Sequence, residues 1–247
     1  MSGTVDGHVT VWDAEGHKKA IEFRGHKGLV FAVDISPDGT RFAAGPVDHV
    51  VRVWSLSTGE QLLGPLEHNG TVVAVKFSPD GRRIATATWK HDVVRIYDSH
   101  DGRLLVDAPI RVSSLHNQSL AWTGVGKTLL ALSDNGNIHC IDVATGTTLS
   151  KWAIHSNNYY PGCIALASDG AFIAASGGGS VSFFDMATHQ QLEVGPLIYH
   201  PVPGAASVKY MAISANQDLA ISGGKKIILW KLSDSLFSSY FDHVCVL

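Results

Sequence analysis

The chain has 247 residues, 45% of them hydrophobic, and a formal net charge of −3. This balance supplies a core and excludes a disordered chain. No basic run points to nucleic acid, since Lys18-Lys19, Arg82-Arg83 and Lys225-Lys226 lie far apart; no apolar run reaches the roughly 18 residues of a membrane span.

Cys140, Cys163 and Cys245 are too few and too scattered for a disulfide framework or a cysteine-based zinc site. The opening "MSGTVDGHVTVWD" has neither a basic stretch nor an apolar core, so no secretory signal is expected there. Together these features point to an intracellular protein, cytoplasmic or nuclear. Ser2-Gly3 reads as the end of one strand and "HVTVWD" as the next. From Leu29 to Leu66 four short strands follow, "LVFAVDI", "TRFAAG", "HVVRVWSL" and "QLLGPL". The turns between them include "SPDG" and "STGE", with Pro able to take the second turn position and Gly supplying positive φ.

The pattern then repeats. "FSPDGRR" at Phe77 to Arg83 echoes "ISPDGTR" at Ile35 to Arg41. Apolar runs end at Trp12, Trp54, Tyr97, Ile141, Phe184 and Trp230, at intervals of 42, 43, 44, 43 and 46 residues. Turn signals recur about every 8–12 residues and no apolar period of 3.6 is sustained, which is all-β spacing. One four-stranded unit cannot bury both faces of its sheet, so several must pack around a centre.

"AWTGVGKT" at Ala121 to Thr128 has the letters of a phosphate-binding loop, with Ala121 at the first Gly of G-x-x-x-x-G-K-S/T. Such a loop needs a helix behind it, whose N-terminal N–H groups meet the phosphate. Only six residues separate Lys127 from Asp134, and Asn135-Gly136 signals a hairpin. In register, Thr123 to Gly126 stands where "SPDG" stands elsewhere. It reads as the turn between a first and a second strand, with Lys127 facing solvent.

With Gly25-His26, Ser36-Pro37-Asp38-Gly39, Asp48 and Trp54 in one repeat, and His68, Ser78-Pro79-Asp80-Gly81, Thr86 and Tyr97-Asp98 in the next, the chain resembles WD40-repeat β-propellers over essentially its whole length. The resemblance implies an all-β propeller of about six units of four-stranded antiparallel sheet, near residues 1–26, 27–68, 69–110, 111–155, 156–200 and 201–247. It also implies a structural hydrogen-bonded set: His before the first strand, Ser or Thr on the second, Asp in the following turn and Trp on the third. Ser2, Asp6 and Trp12 fit it in the first unit. His26, Asp48 and Trp54 fit it in the second, with Ala44 in place of Ser. His68 and Thr86 fit it in the third, where Asp92 falls one residue off and Tyr97 replaces Trp. Later units keep little of it, so apolar packing is expected to hold the blades.

By the same resemblance the chain is a non-enzymatic scaffold that binds proteins or peptides, with no cofactor and no metal. The alternative is a propeller enzyme, or a reader of a small ligand or modified peptide, working at the central channel. The family's binding face, carried over by register, falls on Leu29 and Phe31, Thr71 and Val73, His116 and Gln118, Tyr160 and Gly162, and Ser207 and Lys209. Trp89 sits in an enlarged loop, and Tyr159 and Tyr160 in the insertion "HSNNYYPG". These aromatics either anchor a partner or pack on neighbouring blades. The thirteen histidines are scattered singly, without metal-ligand spacing.

Both ends read as incomplete. "SLFSSYF" suits a fourth strand, and "DHVCVL" resembles the start of a further first strand. The expectation is a piece of a larger, seven-bladed propeller chain; the alternative is closure by Val244 to Leu247 beside Val9 to Trp12.

Overall fold

A computed structural model describes residues 1–13, 18–89, 93–106, 110–112, 115–133, 135–154, 161–177, 180–192, 197–198, 210–214, 218–223, 226–231 and 244–246. They form six antiparallel sheets, which we call blades I to VI. Blade I holds β1 (Ser2–Gly3), β2 (His8–Trp12) and β3 (Lys19–Arg24). Blade II holds β4 (Val30–Ile35), β5 (Arg41–Pro46), β6 (Val50–Ser55) and β7 (Gln61–Glu67). Blade III holds β8 (Val72–Phe77), β9 (Arg83–Thr88), β10 (Val93–Asp98) and β11 (Ile110–Arg111). Blade IV holds β12 (Leu115–Trp122), β13 (Thr128–Ser133), β14 (Asn137–Asp142) and β15 (Thr148–Ala153). Blade V holds β16 (Pro161–Leu166), β17 (Phe172–Gly177), β18 (Ser180–Asp185) and β19 (Leu197–Ile198). Blade VI holds β20 (Tyr210–Ile213), β21 (Asp218–Gly223), β22 (Lys226–Lys231) and β23 (Val244–Val246).

Within each blade consecutive strands pair in chain order. The first strands β4, β8, β12, β16 and β20 pack one against the next, which lines them along the centre. The propeller is not closed: among the described residues no strand of blade I pairs with one of blade VI. One expectation is corrected here. Val244–Val246 does not open a further blade or pair beside Val9; it lies antiparallel to β22, with Ile228 opposite Val246 and Trp230 opposite Val244. The outer edge of β22 presents unpaired backbone groups, and this strand satisfies them.

A separate apolar cluster fills each gap between blades. Val9 and Phe23 meet Phe42 and Trp54 between I and II. Val51, Val53 and Leu66 meet Val72, Val75 and Ile84 between II and III. Ile96 and Ala87 meet Leu120, Trp122 and Leu129 between III and IV. Leu130 and Ile138 meet Ile164, Ile173 and Phe184 between IV and V. Cys163, Phe172 and Phe183 meet Met211 between V and VI. Successive side chains on a strand leave opposite faces, so in β9 Ile84 packs toward blade II while Ala85 and Ala87 pack toward blade IV. The second strands β5, β9, β13 and β17 are therefore buried on both faces. Their small residues Ala43, Ala44, Ala85, Ala87, Ala131 and Ala174 let neighbouring sheets approach.

Gly45 marks one such approach. A Cβ placed there would lie 2.5 Å from Val72 Cγ1 and 2.8 Å from Val75 Cγ2, both on the facing blade. Both valines are buried and have no room to retreat. Gly45→Ala is expected to destabilise the chain by about 1–3 kcal/mol, the usual cost of overpacking. Urea unfolding of the variant checks it; an unchanged midpoint would contradict the packing described.

Candidate functional site

The polar residues of the blades form two related but unequal networks. In blade II, Arg52 Nη1 donates to His26 Nδ1 at 2.7 Å. A guanidinium has only hydrogens to offer, so Nδ1 accepts and the ring proton sits on Nε2. That Nε2 is buried and has no hydrogen-bond partner. Asp48 accepts from Lys27 N at 3.0 Å, from Val50 N at 3.1 Å and from Arg52 Nη1 at 3.1 Å. Burial raises the Asp48 carboxyl, but the Lys27 amide and the Arg52 charge outweigh it and hold the group below the usual carboxylate value. Trp54 stands edge-on to His26, ring centroids 5.0 Å apart, and stacks on Phe42.

In blade III the tautomer is reversed. His68 Nδ1 donates to the Leu66 carbonyl at 2.9 Å, so Nε2 accepts from Thr86 Oγ1 at 2.9 Å. The Tyr97 hydroxyl reaches the same Nε2 at 3.4 Å. Thr86 lies opposite Arg95 in its ladder as Ala44 lies opposite Arg52, so Ala44 occupies the register of the missing hydroxyl. In blade I, Trp12 Nε1 donates to Ser2 Oγ at 2.9 Å, and Asp6 is exposed. Asp92 lies outside the described residues.

The turns between second and third strands gather on one face. Val47 N donates to the Leu29 carbonyl and Trp89 N to the Thr71 carbonyl, each at 2.9 Å, which joins this turn to the entry of the first strand. Gly7, in the corresponding turn of blade I, lies against Gly28, whose carbonyl would be 3.1 Å from a Cβ at Gly7. The result is an arc running from Val5 through Leu29 and Val47 to Thr71 and Trp89. Val5 is 74% exposed, Val47 36% and Trp89 44%, and the three occupy equivalent positions 42 residues apart. Leu29 and Phe31 are half-buried beside them, whereas Val73 is buried in the core and offers nothing to a partner. The sequence alone points to Trp89 but not to Val5 or Val47. The signal was the recurring apolar residue just before the turn aspartate in "TVDG" and "PVDH".

His116 and Gln118 fall in β12, but their side chains lie outside the description, as do Tyr159, Tyr160, Ser207 and Lys209 entirely. The "TGVG" corner joins β12 to β13: Gly126 N donates to the Thr123 carbonyl at 2.7 Å, Gly126 has φ 65°, and Lys127 is exposed. A strand follows it, not a helix. Among the described residues no group of three or more His, Cys, Asp or Glu side chains could hold a metal ion, and no helix is long and apolar enough to cross a membrane.

With this geometry in place, the comparisons are direct. The family described as "WD domain, G-beta repeat" matches residues 17–55 and 60–98. The chain is also similar in structure to the β-propeller domain of Cps50 (Swd1) from Myceliophteria thermophila, at TM-score 0.74 and 18% identity, covering 98% of this chain and 81% of that one. A comparison with curated proteins finds no match in sequence. The chain thus carries WD40 repeats at these two positions, and its fold is that of a WD40 β-propeller. Such propellers generally mediate protein–protein interaction and are typically non-enzymatic.

Two outcomes follow from the networks. Ala44→Ser supplies an acceptor for His26 Nε2–H, and is expected to stabilise the chain by about 1 kcal/mol, the net value of one buried hydrogen bond. Thermal melting checks this; a loss of stability would show that no hydroxyl fits there. Burial also lowers both His26 and His68 from 6.5 to about 4. Between those values the unfolded chain binds protons that the folded chain does not, so acidification favours unfolding. Stability is expected to hold above pH 6.5 and to fall as pH drops toward about 4. A melting temperature flat across that window would contradict it.

Proposed function

We propose that this protein is a non-enzymatic scaffold that binds an extended peptide segment of a partner protein along the arc from Val5 to Trp89. The observation that supports this reading is the recurrence of an exposed apolar side chain at one position of the turn in three successive blades. Exposed apolar groups in register on rigid turns present a row of anchor points at spacings a peptide can span, and tryptophan is a frequent anchor. The polar groups beneath, Asp48 with Lys27 and Arg52, hold the turn of blade II in shape. They are bonded to the protein itself and are not offered to a ligand.

A reducing, intracellular location and membership in a larger assembly belong to the same proposal. Cys140 and Cys163 are free thiols, and burial pushes the Cys163 thiol up to about 12, which leaves it unreactive. The same proposal divides the chain into repeat units near residues 1–26, 27–68, 69–110, 111–155, 156–200 and 201–247.

The test is affinity purification from cells with the wild-type chain and with Val47→Glu and Trp89→Ala. Each substitution is on the surface and is expected to leave the melting temperature nearly unchanged while weakening capture of the partner about tenfold or more. Capture that survives both substitutions would remove the arc as the binding site.

A further inference from the structure

The blades are tied to one another unequally: an arginine reaches across the II–III and III–IV interfaces, and Phe172 holds the same register at V–VI. Between blades II and III, Arg41 at the start of β5 crosses to the next blade. Its guanidinium donates to the Gly81 carbonyl and the Ser99 carbonyl, each at 3.0 Å, and lies over the Phe77 ring at 5.5 Å. Beside it, Asp34 accepts from Lys76 Nζ at 2.9 Å and from Phe77 N at 2.8 Å. Between III and IV the ring contact recurs, while the Arg83 guanidinium donates to Asp80 Oδ2 of its own blade at 3.4 Å. Arg83, at the matching position of β9, lies over the Trp122 ring at 5.5 Å, and Trp122 Nε1 donates to the Lys76 carbonyl at 3.1 Å. Each arginine also fills the space beside the next blade's first turn. Arg41 Nη2 would be 3.7 Å from a Cβ at Gly81, and Arg83 Nη2 3.3 Å from one at Gly126.

Ladder registers identify the same positions at the next interface. Arg41 faces Ser55, Arg83 faces Asp98 and Thr128 faces Asp142, so Thr128 stands where the arginines stood. Phe77 faces Ile84, Trp122 faces Leu129 and Leu166 faces Ile173, so Leu166 stands where the aromatic ring stood. Ala121 takes the place of Asp34 and Lys76. None of the three replacements can remake the tie. Thr128 turns its hydroxyl back to Thr123 Oγ1 at 2.7 Å within its own blade, and a Cβ at Gly170 would meet no atom within 4 Å. The seam keeps its apolar cluster. At the outer rim it has the Trp152 and His189 rings stacked 3.9 Å apart, 3° from parallel.

We propose that the interface between blades IV and V is a built-in seam at which the blades beyond it move against the clamped body formed by blades II to IV. In a repeat array each unit is held by its neighbours, so the array yields where the clamp of II–III and III–IV ends. Apolar packing and the rim stack hold the two sides together without fixing them at the end where the arginines act. The opening therefore begins at the face opposite the Val5–Trp89 arc, and Val47 and Trp89 stay on the clamped body.

Hydrogen exchange of the full chain tests this. Amides of β16 to β18 are expected to exchange about tenfold faster than those of β9, β10, β13 and β14. Thr128→Arg, which restores the clamp onto the Gly170 turn, is expected to slow β16 and β17 about five- to tenfold, the size of one net hydrogen bond, and to leave β5 and β6 unchanged. If Thr128→Arg does not fold, Arg83→Gln serves instead, and is expected to speed exchange in β12 and β13. Equal exchange across blades III to V in the wild type would overturn the proposal. So would a folded Thr128→Arg chain in which blade V exchanges as before, since simple fraying from blade VI inward predicts that result.

Discussion

The sheets of blades II to V each have two apolar faces, and a sheet with two apolar faces cannot stand alone in water. That constraint organises the rest. The second strand of each of blades II to V carries alternate residues into two different clusters, so Ile84 and Ala85, adjacent in sequence, stabilise different interfaces. Small residues on these strands set how near the next sheet comes, and at Gly45 there is no room for even a Cβ. Loops are left to the two faces of the propeller, where they are free to carry exposed groups such as Val47 and Trp89.

The polar networks refine this arrangement more than they create it. His68 is satisfied at both ring nitrogens, whereas His26 holds a buried N–H with no acceptor. Blade II tolerates that cost because Phe23, Phe42 and Trp54 pack as a continuous aromatic column with ring separations of 4.5 and 4.9 Å. The described residues of blades IV and V show no such histidine set, and Leu130, Ile138, Ile173 and Phe184 pack there. Directional bonds and apolar packing are thus exchangeable in holding a blade, although only the first fix one blade to another at a single position.

Much of this was readable from the amino-acid letters. "SPDG" at Ser36 and Ser78 marks turns whose Ser side chains cap the following strand: Ser36 Oγ accepts from Arg41 N and Ser78 Oγ from Arg83 N, both at 2.9 Å. The spacing of Trp12, Trp54 and Tyr97 reports the blade repeat directly, and the register of Thr123 to Gly126 separates a strand corner from a phosphate loop. Other features depend on who sits beside whom in three dimensions. The opposite tautomers of His26 and His68 arise because an arginine faces one ring and a carbonyl the other. The apolar arc required knowing that Leu29 and Val47 are joined by a backbone hydrogen bond. The pairing of Val244–Val246 with β22 escaped notice because an apolar trio fits the first and the fourth strand of a blade equally well.

The central claim is that each blade is stabilised by side chains of its neighbour in close register. A double-mutant cycle on Gly45 and Val72 tests it most directly, with both residues buried and on facing sheets. If the blades meet as described, Val72→Ala removes the γ-carbon that a Cβ at Gly45 would strike. The Gly45→Ala cost then falls in that background, with a coupling of about 1 kcal/mol or more. Strictly additive effects would contradict the account, because they would mean that the two residues do not face each other across the interface.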